Sequence, residues 1–214
     1  MSIHRTVRTA AAGLAVAAIT AAGLHAPADA AQKPKKPKSL AKVLAADGTK
    51  FDKKGGDFDI LEAAVLAVLE AKPDSAVGVL TQGKVKLTAF LPTDTAFRNL
   101  AGTLTGSKPK TEKATFNALA GVGVDTIEAV LLYHVVPGKT LTAKKVLASD
   151  GAELTTAQGG TVEVNVAGKG KRTKVTLVDA DPDVRNPRVI KTDINKGNPQ
   201  IAHAINGVLL PIDL

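Results

Sequence analysis

The period of the apolar pattern changes once along this chain, near Ala148, and that change restricts the fold more than any other feature. Upstream, apolar residues mostly recur at helical spacing. Residues 39–46 form a short apolar-periodic segment, and 60–71 is a nearly all-apolar stretch that ends at Pro73. A helix of that composition must be buried on most of its surface. Residues 111–120 are expected to be helical with Phe116 and Leu119 inward, and Gly121 and Gly123 break that helix. Downstream of a short helix at 142–148, capped by Thr142, the runs become β-branched, at 153–156, 161–166, 174–178 and 189–194. Gly159-Gly160 and the turn at 167–172 separate them as hairpins require. A last strand is expected over 201–209. The order predicts an α+β domain, helices first and hairpin-linked strands after.

One strand is expected among the helices. Residues 85–91 alternate Val85, Leu87 and Ala89 with Lys84, Lys86 and Thr88, which predicts a half-buried strand. Pro92 ends it, and Thr93 or Asp94 is placed to accept a backbone N–H at the start of a helix over 96–100. A polar Gly/Ser/Pro loop then covers 102–110. Two helix starts carry an Asp-x-x-Glu capping box, Asp59 with Glu62 and Asp125 with Glu128. From the second, Ile127, Val130, Leu131 and His134 follow on one helical face. Pro137 and Gly138 stop that helix near His134, where an imidazole faces the negative end of the helix dipole. Tyr133 is the only tyrosine. The pair Tyr133-His134 is expected to tie this helix end to a neighbouring element.

The Leu131-Leu132-Tyr133-His134-Val135-Val136-Pro137-Gly138 stretch resembles the Tyr-His motif of fasciclin-type (FAS1) domains. Two further segments fit in order. Phe90-Leu91-Pro92-Thr93-Asp94-Thr95-Ala96-Phe97 resembles the first family motif, and the segment from Ile201 through His203 and Asn206 to Pro211 resembles the second. Asp57-Phe58-Asp59-Ile60-Leu61 resembles the family's N-terminal helix start. The resemblance covers residues 39–214. It implies a compact wedge, helices packed on an antiparallel, sandwich-like pair of sheets, in a non-enzymatic adhesion module. It implies a cell-surface, matrix or cell-wall partner, protein or polysaccharide, and leaves self-association open. In family members with integrin-dependent adhesion an Asp-Ile pair ahead of the second motif is implicated, and Asp193-Ile194 matches it. Pro199-Gln200 stands where a glycine usually opens that motif, and Asn206 where its Asp would be.

Residues 1–30 fit a cleaved bacterial-type signal peptide, with His4, Arg5 and Arg8 before an apolar run and Ala28-Asp29-Ala30 at the cleavage site. A secreted chain beginning near Ala31, soluble or associated with the cell wall and not inserted in a membrane, is expected. An animal integrin is then a poor natural partner. Residues 31–38 form a stiff Lys/Pro linker. Removing Arg5, Arg8 and Asp29 takes the net charge from +8 to +7, and the linker's four lysines leave +3 for the domain. Nucleic acid is not an expected partner, because no aromatic and basic residues interleave on one face.

The absence of cysteine excludes disulfides, thiol catalysis and cysteine-based metal sites. Asp179-Ala180-Asp181-Pro182-Asp183 alternates carboxylates like a calcium loop. Val184 stands where the turn glycine belongs and Ile190 where the bidentate Glu belongs, so an acidic turn is expected. His134 and His203 alone make no zinc set, and His203 is expected inward and hydrogen-bonded. No catalytic residue, metal or cofactor is assigned. Three function classes remain: an interaction module, a small-ligand carrier using a cleft beside Tyr133 and His134, and a hydrolase. An apolar pocket with convergent polar groups would favour the second, and carboxylates opposed across a cleft the third.

Overall fold

The computed structural model describes residues 36–46, 48 and 50–212. The expected signal peptide over 1–30 and residues 31–35 of the linker lie outside the described residues. The first elements are α1 (Leu40–Leu44), α2 (Asp59–Ala71), a 3₁₀ turn (Ala76–Thr81), β1 (Leu87–Pro92), α3 (Asp94–Thr105), α4 (Glu112–Ala120), α5 (Val124–Tyr133), β2 (Val135–Pro137) and α6 (Ala143–Leu147). Then come β3 (Ala152–Thr155), β4 (Thr161–Ala167), β5 (Lys174–Val178), β6 (Val189–Ile194) and β7 (Gln200–Ile205). The α+β class and the change of period hold. Among the described residues no single helix is long and apolar enough to cross a membrane.

Two sheets form. One is a meander of β3, β4 and β5, all antiparallel. The other has the order β2-β1-β7-β6. Here the expectation of antiparallel sheets needs correction, because β1 and β7 run parallel from Leu87 opposite Gln200 to Pro92 opposite Ile205. Helical segments and the whole second sheet intervene between β1 and β7, which gives the chain room for a parallel return.

Alternation along β1 sorts its side chains between two cores. Leu87, Ala89 and Leu91 join a cluster with Ile60, Val65, Val68, Phe97, Leu100 and Leu131 from the helices. Phe90 faces the other way, into a cluster with Tyr133, Leu154, Val162, Val164, Leu177 and Ile205. The mixed sheet is thus a middle layer between helices and the meander. Every residue of β1 and β7 is buried. This corrects the expected half-buried β1: a central strand covered on both faces has no solvent side.

Several boundaries and caps also move. Helix α3 runs through Gly102 to Thr105 and ends at Gly106 in a left-handed conformation, so the expected loop starts later. Strand β7 stops at Ile205 rather than reaching 209. There the exposed Asn206 side chain accepts from Arg188 N–H at 2.7 Å, while its own N–H donates to the Arg188 carbonyl at 3.1 Å. Neither capping box forms. Phe58 and Gly123 occupy the N-cap positions without side-chain bonds. Asp125 and Glu128 instead bind the Lys72 ammonium beyond the end of α2, and Ser75 donates to Glu128 at 2.5 Å. They clamp α5 to α2.

Candidate functional site

The Tyr-His stretch lies where α5 enters β2, between the helical layer and the meander. The Tyr133 hydroxyl donates to the Thr161 carbonyl at 2.6 Å, and its ring lies so close to Gly160 that an added Cβ would meet it at 3.0 Å. His134 caps α5. Its Nδ1 lies 2.7 Å from the Val130 carbonyl, one of the helix's last acceptors, and its Nε2 accepts from Leu209 N–H at 2.9 Å. Since Nε2 must accept, the proton sits on Nδ1 and the ring is neutral. Burial pushes the His134 pKa down to about 4. The ring therefore serves the helix end by hydrogen bond and not, as expected from the dipole, by charge. Burial also raises the Tyr133 phenol. These two side chains join α5 to β4 and to the segment after β7.

His203 makes the same kind of joint from β7. It is fully buried, its Nε2 lies 2.8 Å from the Leu141 carbonyl, and its Nδ1 accepts from Asp193 N–H at 3.4 Å. Burial lowers its pKa. Phe90 stacks at a tilt on His203, and its N–H donates to the His134 carbonyl at 2.9 Å. Two of the three sequence motifs thus meet around Phe90 of the third.

Pro92 closes β1, Thr93 accepts from Ala96 N–H at 3.4 Å, and Phe97 fills the helix-side core. Asp94 acts elsewhere than expected. Its Oδ1 accepts from Ile60 N–H at 2.8 Å and its Oδ2 from Asp59 N–H at 3.2 Å, so it caps α2 from another element. Burial, together with a hydrogen bond to Asp57, raises its pKa to about 8.

Asp193 does for α6 what Asp94 does for α2. Thr142 makes no side-chain cap; Ala143 N–H instead donates to Asp193 Oδ1 at 2.7 Å, and Lys196 pairs with Oδ2 at 2.8 Å. The Lys196 bond holds the Asp193 carboxyl below its ordinary value. Asp193 and Asn195 both have positive φ, 59° and 64°, a backbone conformation that Asp and Asn adopt more readily than other residues with a side chain. Ile194 is half-buried against the helix-side core. The acidic run forms a tight turn, in which Asp181 accepts from Asp183 and Val184 N–H and Asp179 from Leu210 N–H.

Two recesses bear on the function classes. A narrow apolar cleft of about 60 Å³ between α2, α3, α4 and α5 is lined by Ile60, Phe97, Phe116 and Ile127, with Thr126 its one polar residue. A recess of about 260 Å³ beside Tyr133 and Pro211 carries Glu153, Glu163 and Asp179. Glu153 and Glu163 are cross-strand partners on one sheet face, not groups opposed across a gap. The apolar volume and the polar groups occur in different places.

Sequence reasoning missed Gln200, fully buried at the start of β7. Its Oε1 accepts from Leu40 N–H at 2.7 Å, and its Nε2 donates to the Val79 and Gln82 carbonyls. The substitution for the motif's usual glycine was the available signal. It also missed the convergence of Asp52, Asp57, Asp59 and Glu112, each with an oxygen within 4.8 Å of the others. There Lys54 pairs with Asp52, and Glu112 accepts from Asp52 N–H at 2.5 Å.

No curated protein matches this chain. Among solved structures, a FAS1 domain pair from the insect cell adhesion molecule fasciclin I is similar, at 19% identity and a TM-score of 0.45. The likeness covers 71% of this chain and 43% of that one, so the chain spans less than half the length of that structure. The family model described as Fasciclin domain matches residues 63–211, a span that holds all three motifs and both histidine joints. The chain belongs to the fasciclin domain family.

Proposed function

We propose that this protein is a secreted, non-enzymatic interaction module that binds a component of the cell surface or cell wall. One observation carries the reading. The polar side chains that mark the motifs are all spent on structural hydrogen bonds: Tyr133, His134, His203 and Asp94 join separate elements, and Thr93 caps its own helix. A general base or nucleophile needs a partner and a place for substrate, and these groups have neither role open to them. Recognition then falls to the outer surface. The β6–β7 turn is one such surface, set by Asp193 and running through exposed Lys196 and Gly197.

Asp193 shapes that turn, so two substitutions separate shape from contact. Asp193→Asn keeps an acceptor for Ala143 N–H and suits positive φ, but removes the charge; Asp193→Ala removes both. Retention of the purified protein on cell-wall fractions is expected, weakened by Asp193→Ala with the melting temperature lowered only modestly. Weakening by Asp193→Asn as well identifies the carboxylate as a contact. No retention on any surface fraction by the wild-type protein sinks the proposal.

A further inference from the structure

The outer face of the meander ends in a cleft of about 480 Å³. On β5, Val175 and Leu177 point into the core, so Lys174 and Thr176 point outward. Arg188 bridges to Thr176 across the sheet, and Leu177 N–H donates to the Pro187 carbonyl at 2.9 Å, which sets Arg188 beside Thr176. The loop carrying Asp183, Arg185 and Asn186 forms the opposite wall. It is held in place from below. Asp181 accepts two of its N–H groups, and Asn186 accepts from Asp179 N–H at 3.2 Å.

Three cations, Lys174, Arg185 and Arg188, thus share one concave surface with a single carboxylate, Asp183. None of the three side chains takes part in a salt bridge or a side-chain hydrogen bond among the described residues. The remaining ion pairs all lie elsewhere, at Lys54, Lys72 and Lys196. The β4–β5 turn adds exposed Lys169 and Arg172 on the approach to Lys174.

We propose that this cleft binds an acidic polysaccharide of the uronate type, an inference that rests on the interaction-module reading and names its partner's chemistry. Two guanidinium groups present planar forks that match carboxylates. Thr176, Asn186 and the Asp183 carboxylate offer partners for sugar hydroxyls. That carboxylate accepts hydroxyl donors, which a uronate has in number and a polyphosphate lacks, so the cleft suits an anion that also carries hydroxyls. The cleft has no aromatic residue, so it lacks the stacking surface single-stranded nucleic acid uses.

The test is binding of the purified protein to soluble polygalacturonate at low salt. Binding that weakens with added salt is expected. Arg185→Ser/Arg188→Ser should lose about tenfold or more in affinity, in line with the loss of two charge-assisted bonds. The exposed Lys174→Glu, which leaves the sheet intact, should lose binding at an unchanged melting temperature. A variant with the linker lysines Lys33, Lys35, Lys36 and Lys38 replaced by Ser should retain most of it. Equal affinity of wild type and Lys174→Glu overturns the assignment. So does binding to anionic phospholipid vesicles or to a single-stranded oligonucleotide without binding to polygalacturonate. If polygalacturonate fails while cell-wall fractions still retain the protein, the cleft assignment falls and the interaction-module reading stands. If neither binds, both fall.

Discussion

Histidine 134 shows how one side chain couples a helix end to the acidity of the medium. Its ring is neutral in the fold and its pKa lies near 4, against an ordinary 6.5, because burial opposes the charged form. As pH falls through 6.5 the unfolded chain takes up a proton that the folded chain refuses until about pH 4. Stability is therefore full above 6.5 and is lost as pH falls across that window, by up to about 3 kcal/mol. Two carboxyls work in the opposite sense. Burial raises Asp179 to about 6 and Asp94 to about 8, so the folded state keeps protons that the unfolded state releases. What they contribute is present at low pH and is lost as pH rises through those values. His134→Gln retains a neutral donor and acceptor and removes a contribution that rises with pH. Thermal melts should therefore show stability lost more steeply with rising pH between 4 and 6.5, where Asp179 and Asp94 still titrate, and an unchanged slope at higher pH. A slope in that window equal to that of the wild-type protein means that His134 is not the group that opposes them.

At the scale of elements, what was legible in the sequence was whatever an element says about itself. Val162 and Val164 alternating with Glu163 marked β4, and Pro137 after His134 marked the end of α5. What stayed hidden was supplied by another part of the chain. The acceptors at α2 and α6 are Asp94 and Asp193, far from the helices they cap, while nearer Asp and Thr residues fitted the local pattern and serve otherwise. The Tyr133, His134 and His203 joints were expected as joints, yet their distant partners were not readable, being backbone groups of Thr161, Leu209 and Leu141 brought up by tertiary packing. The Lys174, Arg185 and Arg188 cleft was invisible because it is assembled by the bridge between Thr176 and Arg188 and by the loop that Asp181 and Asn186 pin. Gln200 belongs at this scale. Its amide ties α1 and the 3₁₀ turn to β7, and Gln200→Leu would bury the Leu40 N–H without a partner and leave the Val79 and Gln82 carbonyls only the bonds they accept from Gln82 and Val85 N–H. Urea denaturation should show a loss of about 2–4 kcal/mol. A loss below about 0.5 kcal/mol would mean that these groups find water instead.

At the scale of the whole molecule the arrangement is three layers, with β1 and β7 adjacent in the middle one and apolar on both faces. The fragment ending at Asn198 keeps β1 and every helix but lacks β7. It is expected to be degraded rapidly by a nonspecific protease under conditions that leave the full chain intact, with little cooperative melting; a protected fragment would show that the helices hold together without the sheet's centre. The parallel pairing of Thr88 with Ile201 has a consequence in time. Contacts between residues so far apart along a chain form late and slowly. On the ribosome, β1 emerges with one whole side of its backbone unmatched, and it must wait until β7 has been made. Until then the middle layer stays open, and the unmatched edge of β1 is exposed to wrong partners.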